Sequence, residues 1–138
     1  MVNVGDSRMI KDQVIDEKVY FVNRALLKQY ADASGDQNPI HQDEAFAKSV
    51  GLPDVIAHGM LTMALVGKYV TELAGGSANV LELGGRFTKP VIVPAGEEVD
   101  LTVSATVTDV VDGKVSLSLS ATSAGVKVLG MAKAVIAL

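Results

Sequence analysis

Residues 60–73 constrain this chain more than any other stretch. Read as a helix opened by Gly59 and stopped by Gly75-Gly76, they carry Met60, Leu61, Met63, Ala64, Leu65, Val66, Tyr69 and Val70. Apolar side chains then point to nearly every side, with Thr62, Gly67 and Lys68 the main exceptions. A helix apolar on most faces belongs in the middle of something. The run is far shorter than the roughly 20 residues a bilayer crossing needs. The rest of the chain must therefore wrap it.

The second half supplies a wrapper. From Val80 onward the hydrophobic period becomes two. Val99, Leu101, Val103, Ala105 and Val107 alternate with Asp100, Thr102, Ser104, Thr106 and Thr108. Asp112-Gly113 is a hairpin signal. Val115, Leu117, Leu119 and Ala121 follow, alternating with Ser116, Ser118 and Ser120. A turn at Ala124-Gly125 leads to a last strand over 126–137, apolar on both faces and so expected centrally in the sheet. Residues 81–93 read as a strand bent or bulged at Gly84-Gly85, and a further strand is expected near Val19–Phe21.

The first half is helical. Asn23 caps a helix over 24–33 that puts Leu26, Leu27, Tyr30 and Ala31 on one face and ends at Ser34-Gly35. Asp43 caps a short helix with Phe46, Ala47 and Val50 inward and Gly51 just past its end. Leu52-Pro53-Asp54 is a turn. Helices followed by an antiparallel meander make an α+β domain, a curved antiparallel sheet around a central apolar helix. At 138 residues the chain is read as one domain, 1–138.

Charge and composition narrow the function. A net charge of −4 argues against nucleic acid as a partner. Lys and Arg are scattered, with no basic run suited to a membrane surface. With no cysteine there is no disulfide framework and no thiolate metal site. The opening Met1-Val2-Asn3-Val4-Gly5-Asp6 lacks the pattern of a secretory leader, so the expectation is a cytoplasmic protein.

Few groups remain that titrate near neutral pH. The chain has two histidines, His41 and His58. His41 ends Gly35-Asp36-Gln37-Asn38-Pro39-Ile40-His41, a loop because Pro39 disfavours helix at Asn38. Gly35 and Pro39 restrict the backbone, so the Asp36 carboxylate and the His41 imidazole can be held in one orientation. Imidazole suits a general acid or base, and the carboxylate can hold a water or bias the histidine tautomer. No serine or cysteine nucleophile motif accompanies them. His58-Gly59 stands where the apolar helix begins, and a helix start presents unpaired N–H groups and partial positive charge. Glycine there lets a substrate oxygen come close, which makes an oxyanion site. His58 is read chiefly as an orienting residue. Asp36 and His41 lack third and fourth ligands for a metal, so none is expected. Asp43 and Glu44 are helix-start charges, and Met60 and Met63 are core filling.

Three segments also resemble a known family. Tyr30-Ala31-Asp32-Ala33-Ser34-Gly35-Asp36-Gln37-Asn38-Pro39-Ile40-His41, then Ile56-Ala57-His58-Gly59-Met60, resembles the MaoC-like (R)-specific enoyl-thioester hydratases and dehydratases. Arg86-Phe87-Thr88-Lys89-Pro90-Val91, with Gly96-Glu97, resembles the family's later region, although Val91–Gly96 is longer than in some members. Within the family the likeness runs to the B subunit of actinobacterial (3R)-hydroxyacyl-carrier-protein dehydratases, which carries the catalytic pair beside a related partner. The resemblance implies a hot-dog fold and reversible hydration of trans-2-enoyl thioesters of CoA or acyl carrier protein in fatty-acid metabolism. It implies catalysis by Asp36 and His41, a Gly59 N–H on the thioester carbonyl with His58 and Asn38 nearby, and no cofactor. It implies a homodimer, or a heterodimer with a related hot-dog subunit. Arg86 and Lys89 are candidate contacts for the phosphates of the carrier arm, or ordinary surface charge. A hot-dog thioesterase and a non-catalytic acyl-binding subunit are the competing readings, since fold does not fix function.

Overall fold

The computed structural model describes residues 9–138, so the Met1–Asp6 segment lies outside the described residues. In chain order the elements are β1 (Val14–Val22), α1 (Arg24–Ser34), a 3-10 turn (Pro39–His41), α2 (Glu44–Ser49) and α3 (Gly59–Ala74). A second 3-10 turn (Ser77–Asn79) leads to β2 (Val80–Phe87), β3 (Val99–Val111), β4 (Lys114–Ser123), β5 (Val126–Lys127) and β6 (Leu129–Ala137). The strands pair antiparallel in the order β1-β3-β4-β6-β2, and β5 pairs with β4 beside that path.

Period two has its expected effect. Leu101, Val103, Ala105 and Val107 of β3 and Val115, Leu117, Leu119 and Ala121 of β4 are buried. Their core partners are Leu61, Val66, Tyr69, Val70 and Leu73 of α3. Fully burying a Leu, Ile or Val side chain contributes about 2 kcal/mol, so this one layer dominates the stabilisation of the sheet–helix contact. Tyr69 fixes α3 further by donating its hydroxyl to the Asp16 carbonyl at 2.9 Å. The β3–β4 hairpin closes at Asp112-Gly113 with both residues at positive φ (52° and 76°), the geometry that the Asp-Gly pair favours.

Four expectations change in detail. Phe46 and Val50 do not point inward; both are exposed, and only Ala47 of α2 is buried. A six-residue helix at the surface has room for one anchoring side chain. The strand expected over 81–93 ends at Phe87, because Pro90 and Pro94 cannot donate to a ladder; a single Ile56–Ile92 bridge remains of it. The bulge at Gly84-Gly85 is present as a register shift between Gly84 and Arg86. The last strand is broken at Val128 into β5 and β6, with Met131 at φ 49°. β6 does lie inside the sheet, between β4 and β2, but only one of its faces is fully buried. Finally, α3 is not enclosed on every side. Met60, Ala64 and Lys68 form an exposed stripe, and Gly67 meets the Leu83 side chain of β2.

Candidate active site

The site assembles at the N-terminus of α3. Gly35 takes φ 81° and ends α1, which a side chain would strain. The chain then turns through a nested pair of side-chain caps. The Asp36 carboxylate accepts from the Asn38 N–H at 3.1 Å, and the Asn38 side-chain oxygen accepts from the Ile40 N–H at 3.2 Å. These turns are what Asp and Asn do best, and they carry His41 back toward the core. Asn38 thus builds the loop with its side-chain oxygen. Asp36 stays exposed while His41 is buried.

The His41 tautomer follows from one hydrogen bond. Its Nδ1 lies 2.7 Å from the Ile56 carbonyl oxygen. A carbonyl only accepts, so Nδ1 carries the proton and Nε2 keeps a free lone pair. Of the two roles open to Asp36, biasing the tautomer therefore falls to Ile56. That carbonyl is held by its surroundings. The Ile56 N–H donates to the Ile40 carbonyl, the Ala57 N–H to Val91 and the Val93 N–H to Val55, at 3.2, 2.9 and 2.8 Å. Arg24 clamps the same short ladder through the Val93 carbonyl (2.6 Å) and the Asp54 carboxylate (2.8 Å).

His58 holds the loop and His41 together. Its Nε2 donates to the Asp36 main-chain carbonyl at 3.1 Å. Its ring stacks on His41 with centroids 3.9 Å apart and planes inclined by 24°, and the Tyr30 ring lies tilted against it, centroids 4.8 Å apart. Nδ1 is buried without a partner. Burial depresses the His58 pKa from its ordinary 6.5, and His41 beside it acts in the same direction; the Asp36 carbonyl and carboxylate pull the other way. His58 is thus favoured as a neutral ring.

Because the His58 side chain is turned to the loop, it does not cap α3. The Gly59 N–H has no acceptor within the helix. A cavity of about 290 Å³ opens in front of it, lined by His41, Gly59, Thr62, Phe87, Lys89 and Val128 among others. The ligand atoms of Asp36, His41 and His58 all lie within 4.8 Å of one another. The structure therefore gathers Asp36, His41, His58 and Gly59, and puts Lys89 at the same cavity. Arg86 is elsewhere, exposed on β2. Sequence reasoning missed the Ile56 carbonyl, Tyr30 and Phe87 as site components. Tyr30 and Phe87 stood within the quoted motifs; a main-chain carbonyl leaves no side-chain signal.

An antiparallel sheet packed on one long helix, with an imidazole and a carboxylate gathered at that helix's open end, defines a hot-dog domain. The chain belongs to the MaoC-like family, whose domain model ("MaoC like domain") matches residues 6–126. A solved MaoC-like dehydratase superposes with a TM-score of 0.91 at 31% identity, over 99% of this chain and 42% of that one. The (R)-hydratase from A. caviae involved in PHA biosynthesis superposes at 0.80 with 26% identity, over 95% of this chain and 98% of that one. Among curated proteins, 3-hydroxyacyl-thioester dehydratase X of Mycobacterium tuberculosis is 39% identical over 74 residues, 54% of this chain. The matched region is 25% of that relative, so the chain spans only a fraction of its length. Among the described residues, no helix is long and apolar enough to cross a membrane.

Proposed function

We propose that this chain interconverts trans-2-enoyl and (3R)-hydroxyacyl thioesters, carried on CoA or acyl carrier protein, by adding and removing water. The observation that carries the reading is the placement of Asp36 and His41 within 4.8 Å beside the uncapped start of α3. Two hydrogen bonds of about 2.8 Å meeting at a tetrahedral water span about 4.6 Å, so one water fits between them. In hydration its oxygen adds to C3 while the His41 Nε2 lone pair accepts its proton. Negative charge passes to the thioester oxygen, which the Gly59 N–H and the helix dipole stabilise. C2 then takes a proton from the dyad, and dehydration runs the same steps backward. The family membership and the (R)-hydratase and dehydratase names among its relatives support this direction of chemistry.

The site needs no metal on this reading. Zinc requires lone pairs that converge tetrahedrally, whereas the stacked His41 and His58 rings direct theirs along nearly parallel planes. Lys89, at the cavity, is placed to meet a phosphate of the carrier arm; Arg86 is not. The partner is a second hot-dog subunit, identical or related, as in the two-subunit dehydratases whose B subunit this chain resembles. It docks on β2, an edge strand that exposes Leu81 and Leu83. Sedimentation of the purified protein checks this, and a persistent monomer with full activity contradicts it. A cytoplasmic setting fits CoA and carrier-protein substrates.

Loss of enoyl absorbance from crotonyl-CoA is the direct test. Asp36→Asn and His41→Ala should each slow it by about 10²–10⁴-fold without unfolding the protein. Raising the salt concentration should raise KM through the Lys89 contact. Release of free thiol from acyl-CoA without enoyl hydration would instead establish a thioesterase, and full activity in both variants would remove the dyad.

A further inference from the structure

Gly59 is not glycine for the sake of its backbone. It lies outside the left-handed region that Gly35, Gly51 and Gly75 occupy, so any residue could adopt its conformation. What a side chain would meet is Phe87. A Cβ built on Gly59 falls 3.0 Å from the Phe87 Cζ, 3.1 Å from Cε2 and 3.2 Å from Cε1. The tip of the ring fills the space that a side chain at residue 59 would take.

Phe87 is held there from behind. It ends β2, paired with Leu129 of β6, and the next N–H, Thr88, donates to the Val128 carbonyl at 3.0 Å. Phe87 is 54% exposed, yet it lines the cavity with His41, Gly59 and Thr62. Half a phenylalanine ring left in solvent contributes little to the core. Its contact with the one uncapped helix start gives it another role.

We infer that Phe87 is a substrate-positioning residue that shields the Gly59 N–H from water and fixes the thioester carbonyl against it. The inference rests on the hydratase reading above. Hydrogen bonds to a developing oxyanion strengthen when water is excluded. The three nearly equal distances put a Cβ at residue 59 over the ring face rather than at its rim, so the ring covers that position as an apolar lid and acts by excluding water. Residue 59 is small because this ring is there, and the two positions act as one unit.

The test is a double-mutant cycle on crotonyl-CoA hydration, joined to a spectroscopic readout. Phe87→Ala should lower kcat/KM at least tenfold, and Phe87→Leu, which keeps apolar cover, should recover most of it. Gly59→Ala should be strongly impaired in the native background, because the half-exposed ring must move aside. It should be markedly less harmful in Phe87→Ala, where the space is free. Equal effects of Gly59→Ala in both backgrounds would overturn the inference. For the spectrum, hexadienoyl-CoA is bound to Asp36→Asn protein, and the red shift of its dienoyl band reports carbonyl polarisation. The shift should shrink with Phe87→Ala added and return with Phe87→Leu. An undiminished shift with Phe87→Ala refutes the role of the ring while leaving the Gly59 oxyanion site standing. No shift in Asp36→Asn alone refutes the oxyanion site and this inference with it.

Discussion

The helices α1 and α3 begin in opposite ways. Asn23 closes α1, its side-chain oxygen accepting from the Leu26 N–H at 2.8 Å. Asp43 does the same for α2, accepting from the Phe46 N–H at 3.0 Å. At α3 the corresponding residue is His58, and its ring nitrogen is bonded to the Asp36 carbonyl instead. Two helix starts are thus capped by a side chain from within the protein, and the third is left open to the cavity that His41 lines. An open cap lowers stability by roughly 1 kcal/mol. The open end in exchange presents an unpaired N–H and a positive dipole beside the only two imidazoles in the chain.

Closing the open end is the strongest way to break this contrast. His58→Asn supplies a good cap while removing the stack on His41 and the bond that holds the Asp36 loop. The new cap would accept from the Leu61 N–H and leave the Gly59 N–H free, so the loss comes from displacing His41 and the Asp36 loop. We expect hydration of crotonyl-CoA to fall by about 10²-fold, the scale of misplacing reacting groups. The cap gained should offset part of the packing lost, so urea unfolding should shift far less than activity does. Near-native turnover in this variant would show that the cap can be filled without harm.

The complementary change opens a closed end. Asn23→Ala should destabilise the protein by about 1 kcal/mol in urea unfolding. Its specific activity should not change, because the hollow beside the α1 start shares no lining residue with the cavity at His41 and Gly59. A large loss of turnover would mean that the two helix ends are coupled.

The smallest effect is on the pH dependence of stability. The pKa of His58 is depressed on folding, so the unfolded chain binds the proton more readily. The contribution of the neutral ring is present above the unfolded value, near 6.5, and is lost as pH falls below it toward the folded value. Native protein should therefore lose stability on acidification from pH 7 to 5, and His58→Asn should flatten that limb. Identical limbs in the two proteins would mean that His58 does not titrate in this range.

Much of this was legible along the chain. The change of period near residue 80 separated helices from sheet, Asn23 and Asp43 announced their caps, and Gly51 and Gly75 sit at positive φ past the helix ends as read. Asp36, His41 and Gly59, all singled out from the sequence, come together at one end of α3. Other features were not legible. Phe46 and Val50 look like core residues in any hydrophobic pattern, but a one-and-a-half-turn helix at the surface buries only Ala47. Pro90 and Pro94 sit in an apolar run that reads as strand until their missing N–H groups are counted against a ladder.

The order of polar and apolar residues determined the fold class, the helix ends and the loop that bears Asp36 and His41, because each is governed by neighbours a few positions apart. Tertiary structure alone decided which nitrogen of His41 is free, that His58 stacks on it, and that Phe87 stands over Gly59. Those choices join residues 15, 17 and 28 positions apart. The first also depends on a main-chain carbonyl, which every residue possesses, so only the folded path of the chain could select Ile56.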